Sequence, residues 1–512
     1  MMLTSSLRRI ATATSAARRE GRSDKSRYKP VIGLEVHVQL NTRTKLFSRA
    51  ATSESSPNRR VAPLDMATPG TLPALNRQCV LHALKLAVLT NCRIPEWSRF
   101  DRKHYFYADM PAGYQITQHE KPIARDGKFG FFVFDENLEP YWKEIDIIQL
   151  QLEQDSGKTM HVGNRSLVDY NRAGCALVEL VTTPCFSTAL EAIRFVQSLR
   201  LLLIHHNLCG GELHRGQMRV DANVSLSYDG ETGTRVEIKN MNSLRTIHTA
   251  INFEIARQFE ILSGGRAGER VLNETRAADS EGRTVPMRDK EEETDYRYMA
   301  EPNLPSIRIQ KTWIDDVTRQ IEAEGRPRYV WLREDEGFDA RSAIHIAEEP
   351  ELSAFVDRCI RFRDVTVTAQ DILYWMRELK TIMQRSKVNY PPQTDFFAEQ
   401  FTKIVKIARE RRLTRLRLLE LLRHYSTSED VASEDVVDNI ERNGFWRITD
   451  AEKIDLAVDE VLQDPKNVKT AEKLRSGHQK SFNRLRNLVV DKSEKRIELE
   501  DVEKSLKRFF KF

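Results

Sequence analysis

Three carboxylates and one imidazole mark where this sequence is equipped for chemistry. In VIGLEVHVQL, Val31 to Leu40, the even positions Ile32, Leu34, Val36, Val38 and Leu40 are apolar, and the odd positions include Gly33, Glu35, His37 and Gln39. Such alternation predicts a strand with one face on a core. Glu35 and His37 then share the other face, roughly 7 Å apart along the strand. In IQLQLEQDSGK, Ile148, Leu150 and Leu152 are expected on one face and Gln149, Gln151 and Glu153 on the other. In CALVELVTTP, Glu179 interrupts an otherwise apolar strand. A lone buried carboxylate is costly unless it binds a cation or is hydrogen-bonded. Brought together on neighbouring strands, oxygen ligands with one imidazole suit Mg²⁺ or Mn²⁺ better than zinc. On the residues alone, a metal site and a structural hydrogen-bonded set both stay open.

Other reactive arrangements are missing. DSGKT ends like a phosphate loop, but the first glycine of that motif would fall at Leu152, inside a strand. There is no G-x-S-x-G elbow, and none of the six cysteines forms a C-x-x-C. Four polar blocks, FDRKHYFYADMPAGYQITQHEKPI, RVDANVSL, VEIKNMNS and MRDKEEETDYRYMAEPNLP, put Asp, Asn, Lys, Arg and Tyr into loops and strand faces. Together they read as a large polar substrate site.

These residues need a scaffold, and the 512-residue chain is long enough for roughly two to four domains. Residues 1–30 hold eight Lys/Arg against two acidic residues, while the whole chain is only +5. That basic, Ser/Thr/Ala-rich start predicts a mitochondrial transit peptide over residues 1–28. No apolar run approaches the ~18 residues that span a membrane. Twenty of the 22 glycines lie at or before Gly337, so the style changes between residues 300 and 340. The first half mixes strands with two helices, one opened by Ser187 and one opened by Asn242 or Ser243 and closed by Gly264 and Gly265. The second half reads as helical almost throughout, including the run FFAEQFTKIVKIARERRLTRLRLLELLRHY. Within its stretch KIVKIARERRLTRLRLLELLRHY, Lys403, Lys406, Arg409, Arg411, Arg412, Arg415, Arg417 and Arg423 outnumber Glu410 and Glu420, which fits either a phosphate-tracking helix or a solvated surface.

The blocks VIGLEVHVQL, FDRKHYFYADMPAGYQITQ, LEQDSGK, LVDYNRAG, RVDANVSL, EIKNMNS and DYRYMAEPNLP, in this order from Val31 to Pro305, resemble the B subunit of the tRNA-dependent glutamyl-tRNA(Gln) amidotransferases. The resemblance, with the leader, implies a mitochondrial matrix protein. It implies an α+β, cradle-shaped catalytic domain over 29–305, a helical domain over 306–440 and a YqeY-like helical tail over 441–512. The implied activity is ATP- and Mg²⁺-dependent phosphorylation of the tRNA-linked glutamate γ-carboxyl, followed by amidation to Gln-tRNA(Gln). The implied partners are an amidase A subunit that delivers ammonia, a small C subunit and Glu-tRNA(Gln). His37, Glu153 and Glu179 fall on the family's metal-ligand positions, with Glu35 beside them as a fourth catalytic residue. This chain reads Glu153-Gln154-Asp155 where bacterial members commonly read Glu-Glu-Asp, and the ligand is assigned to Glu153. Tyr107, Gln115, Arg219, Asp221, Asn223, Lys239, Asn240, Asn242 and Arg297 are expected around ATP and the aminoacyl end, and Arg409, Arg411, Arg412 and Arg415 on tRNA. A stand-alone tRNA-binding protein would not need the metal constellation. A metal-dependent phosphohydrolase would not need a partner.

Overall fold

The computed structural model describes residues 27–264, 270–287, 295–427, 434–475 and 478–510. The leader expected over 1–28, apart from its last two residues, and Gly265 lie outside them.

The alternating stretch forms β1, Tyr28–Gln39, and Ile32, Leu34, Val36 and Val38 are each at most 1% exposed. β1 sits in the middle of a nine-stranded sheet. On one side of it come β6 (Ala176–Thr182), β5 (Leu138–Gln154) and the edge strand β4 (Ala124–Asp135). On the other side come β7 (Met218–Tyr228), β8 (Val236–Met241), β9 (Thr275–Ala278) and β10 (Thr284–Pro286), and the ninth strand, the two residues Glu231–Thr232, pairs with the end of β7. These pairs are antiparallel except β8 with β9, which a helical crossover joins in parallel.

Three helices contribute to the core on the apolar face, α1 (Arg77–Leu89), α2 (Ala189–His205) and the crossover α3 (Leu244–Leu262). α2 is capped one residue later than expected. Thr188 accepts from the Glu191 N–H at 3.1 Å, and Ser187 donates its own N–H to the Glu191 carboxylate at 2.6 Å. α3 is capped by Ser243, and Gly264 follows it with a φ of +78°.

One face assignment is corrected. Ile148 is 45% exposed, because β5 carries an extra residue between Ile147 and Gln149 opposite β6. The bulge turns Ile147 inward in its place and restores the alternation for Leu150 and Leu152. A small second sheet, β2 (Asp101–His104) between β3 (Tyr114–Thr117) and β11 (Met299–Ala300), has its own hydrogen-bonded ladder and packs against β5.

The chain divides into two compact units at Pro327 and Arg328, later than the expected 305/306 division. The reason is the helix α4 (Lys311–Glu324), whose Trp313 packs on the first core and whose Glu324 bonds Lys85 of α1 (Arg77–Leu89) at 2.6 Å. The second unit contains eleven described helices, from Arg328–Glu334 to Leu499–Phe510. It has one core from Leu332 to Ile440 and a second from Ile454 to Leu506. The long basic run is not one helix. Asp395–Arg409 ends and Arg415–Thr427 begins across a corner where Arg411 has a φ of +54°. The Arg411 N–H bonds Ala408 O and the Arg412 N–H bonds Ile407 O, closing the first helix without a glycine, and Leu413 turns into the core. Among the described residues no helix is long and apolar enough to cross a membrane.

Candidate metal and substrate site

The polar face of the sheet gathers side chains by register. His37 is the direct cross-strand partner of Glu179 on β6 and of Arg219 on β7. Glu179 is in turn the partner of Gln151 on β5. Glu153 lies two residues further along β5, opposite Leu177 and on the same face as Gln151. His37 Nε2 is 3.5 Å from Glu153 Oε1 and 3.9 Å from Glu179 Oε2, and the three ligand atoms all lie within 4.8 Å of one another. Octahedral Mg²⁺ at about 2.1 Å from its ligands separates them by roughly 3–4.2 Å, so small side-chain adjustments bring this set onto one ion. Two carboxylates and a neutral imidazole are a fitting donor set for such a cation.

The electrostatics of the site favour a cation. Burial, and then the charge of Glu179, raises the Glu153 carboxyl; burial also raises Glu179. Glu35 is raised by burial first and by Glu179 next, while Asn223 Nδ2 donates to it at 3.0 Å. Burial pushes His37 down to about 4, so the imidazole is neutral and its lone pair is available. Asp155, 2% exposed, adds another carboxylate and is 2.8 Å from Arg219 and 3.4 Å from Arg172. Burial opposes the charge of Arg219, but Asp155, Glu153 and Asp221 outweigh it and keep the guanidinium protonated. Lys239 is likewise held charged against burial by Asp221 at 3.1 Å and Glu237 at 2.9 Å.

The sequence profile of the GatB/GatE catalytic domain matches residues 30–315, more than half of the chain. The mitochondrial glutamyl-tRNA(Gln) amidotransferase B subunit of Aedes aegypti is 37% identical, covering 97% of this chain and 96% of its own. The chain belongs to the amidotransferase B-subunit family. The Danio rerio mitochondrial B subunit is 50% identical over 54% of this chain and 51% of its own. The Synechococcus elongatus aspartyl/glutamyl-tRNA(Asn/Gln) amidotransferase B subunit is 36% identical over 86% of this chain and 89% of its own. With relatives named as the mitochondrial form among them, the chain is a mitochondrial member of the family.

Within this family member, the residues expected at the site divide into groups. Glu35, His37, Glu153, Glu179, Arg219, Asp221, Asn223 and Lys239 share the polar face of five adjacent strands. Asn240 sits at a β7/β8 bulge with a φ of +65° and is exposed, the extra residue that returns Met241 to the buried face. Tyr107 and Arg297 line a neighbouring pocket. Gln115 is engaged with the frame, its Nε2 donating to Gln154 O at 2.8 Å, and Asn242 is exposed ahead of the Ser243 cap. Gln154 lies on the other face of β5 from Glu153, its Nε2 3.8 Å from Met110 Sδ.

Sequence reasoning passed over Lys103, whose charge lowers both Glu153 and Glu179, and Asp155, the counter-charge of Arg219. Lys103 lies inside a block already singled out as polar, but only the pairing of β2 with β3 and β11 shows where it points. In the second unit the basic residues are mostly paired: Arg409 with Asp371, Arg415 with Glu378 at 2.8 Å, and Arg412 4.0 Å above the Trp446 ring. Arg411 is exposed and has no acidic partner among the described residues.

Proposed function

We propose that this chain activates the glutamate carried by Glu-tRNA(Gln) in the mitochondrial matrix, using ATP and Mg²⁺, and passes it to ammonia. A γ-carboxylate oxygen attacks the γ-phosphorus of ATP and the bond to ADP breaks. Ammonia then attacks the acyl carbon, loses a proton, and the bond to phosphate breaks. The observation that supports this reading is the meeting of His37, Glu153 and Glu179 on one sheet face in a chain of the B-subunit family.

His37, Glu153 and Glu179 would hold the cation, and Glu35 stands beside them on β1. Bound Mg²⁺ would offset phosphate charge and polarise the transferred group. Lys103 and Arg219 put fixed positive charges next to the same carboxylates, where an incoming anionic substrate meets them without reorganisation. Neutral His37 can ligate without first losing a proton.

The reading includes an amidase subunit as the ammonia source and a small third subunit joining the two. The region past residue 441 is read as a YqeY-like tail, and Arg411 is the best placed of the four arginines for tRNA phosphate. The test is to purify the full chain with its native partners and measure ATP hydrolysis. Dependence on both Mg²⁺ and Glu-tRNA(Gln), together with a co-purifying amidase, is the expected result. Hydrolysis by the lone chain without tRNA would favour a phosphohydrolase, and tRNA binding without any hydrolysis a plain RNA-binding protein.

A further inference from the structure

The last helix of the first unit, α4, is held on it by little apolar surface. Val317, 1% exposed, is its one buried side chain. Trp313 is half-buried, packs on the first core and lies 5.4 Å from the Arg77 guanidinium. The stretch ahead of the helix is fixed through the backbone: Ile307 pairs with Ser98, and the Ile309 N–H donates to Glu96 O at 2.8 Å. The far end is fixed through polar side chains instead.

That end is a junction of three helices. The Glu324 carboxylate lies 2.6 Å from Lys85 Nζ of α1 and 2.6 Å from Nδ1 of His206, the C-cap of α2. Lys85 Nζ also donates to His206 O at 3.0 Å, and His205 Nε2 lies 3.2 Å from the carbonyl of Gly325, where α4 ends. Lys85 and His206 are buried. His82 precedes Lys85 by three residues on α1, so the two are neighbours on the helix surface. The charged and titratable groups that act on one another here are His82 and Lys85 from α1, His205 and His206 from the end of α2, and Glu324 from α4. One carboxylate thus serves one ammonium and three imidazoles. His82 Nδ1 and His206 Nε2 are buried and have no hydrogen-bond partner among the described residues.

With His82 and His206 neutral, Glu324 balances Lys85 and accepts the His206 Nδ1–H. A proton added to His206 goes to Nε2 and makes a buried N–H without an acceptor; a protonated His82 carries the same defect at Nδ1. It also sets a second buried cation against a single carboxylate. Burial accordingly lowers His206 against the pull of Glu324, and lowers His82 to about 4. For Glu324, burial is outweighed by the bonds from Lys85 and His206, so its carboxyl is lowered and stays ionised in mild acid.

We propose that Glu324, His206 and His82 form a proton-sensitive latch, closed at neutral pH and opened by acidification, that frees the C-terminal turns of α4 and the chain leading from them into the second unit. In the opened junction the imidazoles regain their ordinary value of about 6.5. The closed junction therefore binds fewer protons below that pH, and its stability is full above about 6.5 and falls as pH drops toward 4. For His82 alone, going from pH 7.5 to 5.5 raises the opened fraction about tenfold, and His206 adds to this.

The test is hydrogen–deuterium exchange on the full chain with its co-purifying subunits, at pH 7.5 and 5.5, with rates corrected for the intrinsic pH dependence of amide exchange. Amides from Thr318 to Gly325 are expected to open about tenfold more at pH 5.5, reversibly, while those of α3 keep their protection. His206→Asn retains an N–H donor for Glu324 without a titrating ring, and combined with His82→Gln it should remove the pH response. Glu324→Gln should exchange fast at both pH values. Equal corrected protection of the parent at both pH values overturns the latch. So does an equal loss in α3, which would mean global opening, or a full acid response in the folded double variant. The parent series decides without any variant, so a double variant that fails to fold leaves the proposal open to refutation.

Discussion

His37 and Glu179, far apart in sequence, are direct partners across the antiparallel pair β1/β6, with His37 Nε2 3.9 Å from Glu179 Oε2. Glu153 completes the set from the next strand, 3.5 Å from the same imidazole nitrogen. The candidate site is therefore carried by the rigid centre of the sheet, and its geometry depends on strand register more than on loops.

Removing one ligand should remove the chemistry and keep the fold, because the apolar faces of these strands are untouched. Glu153→Gln, His37→Ala and Glu179→Ala are each expected to lower Mg²⁺- and tRNA-dependent ATP hydrolysis by ~10²-fold or more. Glu153→Gln is the most discriminating, since it keeps the shape and deletes the charge. If that variant, folded and bound to its partners, turns over at the parent rate, Glu153 is not a ligand.

The metal-free protein should show the strain of its acids. Burial raises Glu153 and Glu179 in the fold, so the folded chain retains protons that the unfolded chain releases above about pH 4.3. Their contribution to stability therefore falls as pH rises above that value. His37 acts oppositely: its folded value of about 4 makes stability rise with pH up to its ordinary ~6.5 and level off above it. With a chelator present, Glu153→Gln should raise Tm at pH 8 and do so much less at pH 5. Added Mg²⁺ should then stabilise the parent more than the variant, and more strongly at pH 8, because ligation displaces protons. An equal shift in Tm at both pH values would mean that the Glu153 charge is not the cause.

The entry to β6 depends on a buried ion pair. Lys45 Nζ lies 2.8 Å from Asp65 Oδ2, with side chains 0% and 2% exposed, and also donates to Tyr170 O at 3.3 Å. Asp65→Asn leaves the ammonium buried without its counter-charge, at an expected cost of about 3–5 kcal/mol. Replacing both partners with apolar residues should cost much less. Denaturant unfolding of the single and double variants decides this, and equal losses would argue against a charge-pair origin.

Paired and unpaired arginines should differ on tRNA. Arg411→Ala is expected to weaken binding and lower the salt slope by about one phosphate contact, roughly 0.7–0.9 in log–log units. Arg409→Ala should change the slope less, because Arg409 is already paired with Asp371. Slopes that do not move with either change would make this corner an intramolecular clamp only.

Much of the site could be read from residue order because alternation is a property of the local chain. Period two places Glu35 with His37, and Glu153 with Gln151, on polar faces whatever the neighbours are, and a lone Glu179 in an apolar strand is conspicuous wherever that strand lies. The start and end signals around α3 are equally local. What remained hidden was everything set by contacts distant in sequence. The Ile148 bulge depends on how β5 meets β6, the reach of Lys103 on how β2 meets its neighbours, and the place of α4 on its packing against α1. The corner at Arg411 carries no glycine or proline; burial of Leu413 and the hydrogen bonds that close the first helix hold an arginine in a left-handed conformation. Side-chain period is written into the covalent chain, but register, bulges and counter-charges arise only when separate segments compete for the same partners in space.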